Sequence, residues 1–257
     1  MAESRSVVKL CSVAGIAFLA LTSGALAGGS LKDAPEEDRK FTYSFTITGT
    51  SDYVFRGISQ TDNDPTIQGS VGIGYGIFYA GAWGSGLDFA ALPPPDGTGD
   101  EAQLEIDYYA GIKPTWGPAT FDFGIIYYTY PGYNPGFNPE VLELKAGVSG
   151  EILPKLTAGA TVYYSPDVND LEYFVWEGTL AYALPKVWIF DPVVSGTVGH
   201  YDWEHGGTDY TYWNAGLALV VDKLTFDFRY WDTDASSTLC TYTCDERFVF
   251  SATVALP

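Results

Sequence analysis

The sequence is poor in charged residues, and most of the charges it has are acidic. Charged residues occupy 18% of the 257 positions, and 13 Lys and Arg stand against 32 Asp and Glu, for a formal net charge of −19. Ordinary globular domains carry about 25% charged residues. The shortage of basic residues excludes a nucleic-acid partner, because phosphates require a basic binding face.

Long apolar runs are absent beyond the first thirty residues. A transmembrane helix needs about 20 consecutive apolar residues, so a helical membrane protein is excluded. Aromatic residues make up 16% of the chain, which is too many for a disordered protein. Two classes are left, a soluble all-β domain and a membrane β-barrel.

The first residues predict an exported protein. Two basic residues precede an apolar run over 10–21, and a small-x-small cleavage pattern ends at Ala27. The run is too short to cross a bilayer as a helix. The expected division is a signal peptide at 1–27, a flexible segment at 28–40 and an outer-membrane barrel at 41–257.

Cysteine is scarce, and only Cys240 and Cys244 follow the predicted cleavage site. An exported chain enters an oxidising compartment, so we predict a disulfide between them. A zinc site would need four ligands, of which these are two. His200, Asp202, Glu204 and His205 form a candidate cation cluster, but an acidic loop cluster by itself fixes no coordination geometry. We therefore expect no metal site and no cofactor.

From residue 41 onward, apolar and polar residues alternate with the period of two that is typical of half-buried strands. Most of the alternating segments reach the roughly 9–11 residues that a tilted strand needs to cross the hydrocarbon layer. The segments lie near 41–56, 66–75, 77–89, 102–113, 119–130, 140–150, 155–165, 172–184, 193–203, 209–221, 224–232 and 246–256. Their even number predicts an all-β, antiparallel, up-and-down transmembrane barrel of about twelve strands.

The connections between these segments alternate between short and long. Tight turns fall near 76, 114–118, 151–154, 185–192 and 221–223, and longer, acidic connections near 57–65, 90–101, 131–139, 166–171, 204–208 and 233–245. Outer-membrane barrels have short periplasmic turns and longer outer loops. Lysines occur at four of the tight turns, namely Lys113, Lys155, Lys186 and Lys223. We therefore expect a negatively charged outer mouth.

Two stretches of the sequence resemble a known family. They are SDYVFRGISQTDNDPTIQGSV at 51–71 and YYAGIKPTWGPATFDFGIIYYTYPG at 108–132. Both are similar to the TorF family of porin-like proteins, formerly a proteobacterial family of unknown function, and the similarity extends over essentially the whole mature chain. The resemblance implies an outer-membrane β-barrel and supplies no catalytic residues.

Ten charged residues share the predicted polar face of the strands. They are Arg56, Glu105, Asp107, Asp122, Glu143, Lys145, Glu177, Asp227, Arg229 and Arg247. A lumen wall of paired acids and bases explains them, and no nucleophile–base arrangement points to an enzyme. Arg56 and Arg247 are expected near the outer ends of the first and last strands, as a local barrier.

The sequence thus predicts a weakly cation-selective porin for small hydrophilic solutes, in contact with outer-membrane lipid. The alternative is a closed barrel with a structural or adhesive role, whose acidic loops bind an extracellular partner. The sequence fits both alternatives, because a twelve-stranded lumen can be open or filled by its own side chains. The solute and the oligomeric state do not follow from the sequence.

Overall fold

The computed structural model describes residues 41–88, 102–133, 140–168, 171–204, 207–236, 240 and 242–256. The predicted signal peptide and the segment 28–40 lie outside this range. The strands are β1 (Phe41–Thr50), β2 (Val54–Phe55), β3 (Ile58–Ser59), β4 (Thr66–Tyr75), β5 (Phe78–Gly86), β6 (Leu104–Ile112), β7 (Thr115–Trp116), β8 (Ala119–Thr129), β9 (Val141–Leu153), β10 (Leu156–Val168), β11 (Leu171–Ala183), β12 (Asp191–Trp203), β13 (Tyr210–Val221), β14 (Leu224–Thr233) and β15 (Arg247–Leu256). No helix among the described residues is long and apolar enough to cross a membrane.

Twelve of these strands close an antiparallel barrel. Each long strand pairs with the next one along the chain, and β15 pairs with β1 through a register that includes Ile47 opposite Val254. Strands β2, β3 and β7 are two-residue additions. The predicted all-β, up-and-down, twelve-stranded barrel is therefore confirmed.

The outside of the barrel is apolar. Side chains such as Phe41, Ile67 and Phe248 are 65%, 72% and 82% exposed. Monomeric soluble proteins rarely expose contiguous apolar patches of more than a few hundred Å². Trp116 and Trp188 lie at two of the tight turns, where aromatic side chains anchor a barrel at the membrane interface. The barrel is therefore an outer-membrane protein.

Several of the tight turns use left-handed backbone conformations, as two-residue hairpins require. Gly76, Lys155 and Asp222 have φ angles of 59°, 68° and 52° in the turns that follow β4, β9 and β13. The right-handed twist of the flanking strands favours such turns. One rim of the barrel therefore carries these short turns, and the other carries the longer connections.

The first strand and the connection after it differ from the prediction. We expected a strand over 41–56 and an outer loop over 57–65, but β1 ends at Thr50. Residues 51–65, the inner segment, instead place buried side chains inside the barrel: Tyr53 and Phe55 are each 4% exposed. Strands β2 and β3 pair around Arg56-Gly57, whose φ angles of 45° and 84° fit a two-residue hairpin turn.

Candidate functional site

The barrel lumen has two halves. In the loop-side half, at the level of Glu105, Glu143 and Tyr173, inward-facing side chains from most of the strands are buried. In the turn-side half, at the level of Thr42, Asp122 and Asp227, the wall carries many Ser, Thr, Gly and Ala residues and is partly accessible. The loop-side half is therefore filled by protein, whereas water reaches the turn-side half.

The inner segment and a cluster of aromatic rings fill the loop-side half. The rings of Tyr173, Tyr201 and Trp203 lie 4.8–4.9 Å apart between centroids. Tyr53 of the inner segment packs edge-on against Trp83 of β5, with centroids 5.2 Å apart. Such pairs add favourable contact beyond the area they bury. The buried core of this protein therefore lies within its lumen.

A buried ion pair joins the tip of the inner segment to β9. The Arg56 guanidinium donates to both carboxylate oxygens of Glu143, at 2.7 and 3.0 Å. The same carboxylate accepts hydrogen bonds from Tyr128 and Tyr173, at 2.8 and 2.9 Å. The guanidinium also lies 4.8 Å from the ring centroid of Tyr163. Bidentate geometry and the added donors compensate for removing both charges from water.

Arg56 therefore does not lie where the sequence placed it. We expected it on the polar face of the first strand, near the outer rim. It lies instead in the β2–β3 turn, with 3% of its surface exposed. Because β1 and β9 are five positions apart in the ring of twelve strands, the contact between Arg56 and Glu143 crosses the lumen.

Two further contacts hold the inner segment. The Tyr53 hydroxyl donates to Glu105 of β6 at 3.1 Å. Arg247 of β15 donates to Asp52 at 3.1 Å, and Asp52 also accepts hydrogen bonds from Ser59 and Thr61, at 2.6 and 2.9 Å. Side chains from β6, β9 and β15 thus hold one short hairpin.

The turn-side half holds charged groups of both signs. Lys145 and Lys113 lie 2.8 and 3.7 Å from the Asp122 carboxylate. Arg229 pairs with Asp227 at 3.0 Å and also donates to Asn214 at 2.6 Å and Ser195 at 2.9 Å. Glu177 accepts a hydrogen bond from Tyr212 at 2.5 Å. The accessible wall is therefore close to charge balance.

Glycines keep the turn-side half wide. The Tyr79 ring lies against the wall, where a Cβ at Gly111 or Gly124 would lie 2.5 Å from its hydroxyl oxygen. That hydroxyl donates to Asp122 at 2.7 Å. The Tyr109 hydroxyl lies over Gly81 in the same way. Side chains at these glycine positions would push the rings toward the axis of the lumen.

A disulfide joins Cys240 and Cys244, with the two Cα atoms 5.6 Å apart. Both cysteines are buried against the loop-side core, and the Thr243 carbonyl between them accepts a hydrogen bond from the Ser59 backbone at 2.8 Å. The bridged segment therefore packs over the inner segment.

The candidate cation cluster is not assembled among the described residues. His200 faces outward and interacts with Thr211 at 3.1 Å, while His205 lies outside the described range. Within that range, no group of three or more His, Cys, Asp or Glu residues is placed to hold a metal ion.

Residues 34–256 match the model of a family described as a bacterial protein of unknown function, Gcw_chp. The chain belongs to the Gcw_chp family. The expected TorF name is not confirmed by this match. No curated protein matches the chain.

The solved structure of a porin has the same fold, and other outer-membrane proteins are similar to this chain. The NanC porin is 10% identical and has a TM-score of 0.53, and the alignment covers 83% of this chain and 99% of that porin. A loop-deletion mutant of OmpT, an outer-membrane protein of Vibrio cholerae, is 11% identical with a TM-score of 0.42, covering 84% and 99% of the two chains. Another porin is 12% identical with a TM-score of 0.40, covering 74% of this chain and 62% of its own length. This chain thus spans less than two thirds of that porin.

The sequence pattern did not predict the inner segment or the tyrosines around it. One local signal was present: Phe55 and Ile58 flank Arg56-Gly57, and a glycine in a two-residue connection is typical of a tight hairpin. Apolar residues on both sides of such a turn indicate a buried hairpin more than an outer loop. The contacts of Tyr128 and Tyr173 with Glu143 have no local signal, because they depend on the strand register.

Proposed function

We propose that this Gcw_chp barrel passes small hydrophilic solutes passively across the outer membrane, with a weak preference for cations, and that the inner segment controls the path. One observation carries the proposal. The inner segment lies inside a complete ring of twelve paired strands and is not part of that ring. Its displacement would therefore open the loop-side half without breaking the barrel wall.

The two halves of the lumen support the proposed passage of solutes. The turn-side half offers hydroxyl groups and small side chains, which suit a hydrated path. Passive movement along such a path needs no catalytic group, and we propose that the protein is not an enzyme. The buried contacts at the loop-side half supply a barrier that separates a resting state from a conducting one.

The preference for cations is proposed from the charges of the long-loop rim. Among the described residues, acids at or beside this rim include Asp62, Asp64, Asp88, Glu140, Glu172, Asp202, Asp232, Asp234 and Asp245, and Arg247 is the one base there besides the buried Arg56. A negative mouth concentrates cations and repels anions. The near balance of charge in the turn-side half keeps the expected preference weak.

Planar-bilayer recording tests the proposal. The wild-type barrel is compared with the double variant Arg56→Gln, Glu143→Gln, which removes both charges of the pair together and so leaves neither Arg56 nor Glu143 as an unpaired buried charge. We expect larger or more frequent openings in the variant. In a salt gradient the reversal potential should favour potassium over chloride, and the preference should shrink as the screening length falls from about 10 Å at 0.1 M to about 3 Å at 1 M.

The matched control is Phe45→Leu, on the lipid-facing side of β1, which should leave conductance and selectivity unchanged. A folded barrel that conducts in neither the wild type nor the double variant would favour the second candidate function, a closed barrel with a structural or adhesive role. The buried loop-side half is the observation that favours this candidate. A preference for chloride would contradict the proposed role of the rim charges.

The orientation of the barrel is tested separately. A membrane-impermeant thiol probe applied to intact cells should label Asp64→Cys on the long-loop rim. It should leave Lys186→Cys on the short-turn rim unlabelled. The reverse pattern would place the acidic rim in the periplasm and would invert the proposed direction.

A further inference from the structure

Two neighbouring carboxyl groups in the loop-side half have an unusual environment. Glu105 and Asp107 lie on the inward face of β6 and are 1% and 0% exposed. Within the part of the chain that the structure describes, neither carboxylate oxygen of Asp107 has a hydrogen-bond donor. Among the described residues, the carboxyl group within hydrogen-bonding reach of Asp107 is that of Glu105, which as a carboxylate is also an acceptor.

The described groups that face this pair are neutral side chains and one carboxylate that is already paired. From β9, Glu143 is occupied by Arg56, and from the inner segment, Tyr53 donates to Glu105 at 3.1 Å. From the β8 side, Tyr128 lies opposite Asp107 in the strand register and Tyr130 donates to Glu105 at 3.4 Å. From β5, Trp83 lies opposite Asp107 and Ser85 opposite Glu105. No described Lys or Arg forms an ion pair with Asp107.

Two ionised carboxylates in contact and out of water are strongly unfavourable. One proton removes the conflict, because a protonated carboxyl donates a hydrogen bond to its ionised neighbour. Glu105 suits the role of acceptor, since two phenol groups already donate to it. Burial, and next the Glu105 carboxylate, raise the pKa of Tyr53 well above its usual range, so this phenol stays protonated and keeps donating.

We propose that Asp107 and Glu105 form a proton-binding site that carries one shared proton, and that this proton holds the inner segment in the loop-side half. The link to solute passage rests on the proposed function. When the proton leaves at alkaline pH, both carboxylates require water. The inner segment, joined to Glu105 through Tyr53, is the packed element that can move without opening the ring of strands. Alkaline pH should therefore release it.

Infrared spectroscopy tests the proton directly. At neutral pH exposed carboxyl groups are ionised, so a carbonyl stretch from a protonated carboxylic acid should report this site. The band should be present in the folded wild type and lost in Asp107→Asn. Glu105→Gln is a second variant that should lose the band, and Asp122→Asn, in the accessible half, should keep it. Absence of the band in the wild type, or its persistence in both Asp107→Asn and Glu105→Gln, would overturn the proposal.

Thiol labelling tests the coupling to the inner segment. Ile58, 6% exposed in β3, is changed to Cys, and its labelling rate is followed as pH rises. Loss of one proton on opening allows the opening equilibrium to rise by up to about tenfold per pH unit. The side-chain amide introduced by Asp107→Asn can donate to Glu105 as the protonated acid does. In that variant only the ordinary pH dependence of a thiol should therefore remain.

The Asp122→Asn control should keep the full pH dependence of labelling. Equal pH dependence in the Ile58→Cys chain with and without Asp107→Asn would overturn the coupling. Neither measurement depends on solute passage. A barrel that shows the infrared band and the pH-dependent labelling, yet never conducts, would therefore contradict the proposed function and leave the proton site standing.

Discussion

The two halves of the lumen are lined by the same strands but stabilise charged side chains in different ways. On β9, Glu143 and Lys145 are two residues apart and face the same side, yet the Glu143 side chain is 0% exposed and that of Lys145 is 17% exposed. Glu143 has four donors from three residues, whereas Lys145 pairs with Asp122 beside a second lysine. In the loop-side half charge must be matched within the protein, while water completes the balance in the turn-side half.

The largest expected effect comes from breaking the buried pair on one side. Glu143→Ala leaves Arg56 buried without its partner, which costs about 3–5 kcal/mol. The inner segment can relieve this cost by leaving the lumen. The labelling rate of an Ile58→Cys thiol should therefore rise by about two to four orders of magnitude. An unchanged rate would show that the pair does not hold the segment.

The disulfide offers a second test within the loop-side half. Mass measurement of the purified protein should show the loss of two hydrogens and no free thiol at Cys240 or Cys244. Reduction should destabilise the packing over the inner segment by about 2 kcal/mol, the low end for a disulfide because the loop is short. A reactive thiol in unreduced, freshly purified protein would contradict the predicted bridge.

A smaller effect is expected in the turn-side half. Gly124→Ala would push the Tyr79 ring off the wall and disturb its hydrogen bond to Asp122, at a cost of about 1 kcal/mol. The ring would also narrow the accessible path, so conductance should fall. Gly49→Ala is the matched control, since a Cβ there meets nothing within 4 Å. Equal behaviour of the two variants would argue against this role of the glycines.

The smallest effect is expected at the short-turn rim. Lys186 and Asp191 form an ion pair at 2.8 Å with side chains 57% and 60% exposed. Removing it with Lys186→Ala should change the free energy of unfolding by less than about 1 kcal/mol. If Lys186→Ala lowered the free energy of unfolding as much as Glu143→Ala does, accessible and buried ion pairs would not differ in strength as proposed.

The fold was largely predictable because the residues of a barrel wall follow a local pattern, the alternation of apolar and polar side chains. Each strand has one face toward lipid and one toward the lumen, so alternation reports the strand directly, as in β15, where Phe248 and Phe250 face outward. The short turns then indicated that consecutive strands lie next to each other in the barrel. The pattern failed after Thr50, because apolar residues that leave the wall can still be buried inside the lumen.

The candidate site was predictable as a set of charged residues and not as an arrangement. Asp122 and Lys145 were both assigned to the lumen, but nothing in the sequence pairs them. Glu105, Asp107 and Glu143 were grouped with them as one polar wall. The structure places these three among aromatic rings. The burial of a side chain in the lumen depends on what fills the space around it, and the sequence pattern does not show this.

The sequence by itself determined the twelve-stranded wall, the apolar exterior and the presence of four lysines at the short-turn rim. Each of these follows from the period of two and from the lengths of the turns, which are local properties. The tertiary structure alone decided that residues 51–65 lie inside the barrel and that Arg56 meets Glu143, 87 positions away. Contacts across a closed ring depend on strand register and on the space the ring encloses, and neither property exists until the last strand pairs with the first.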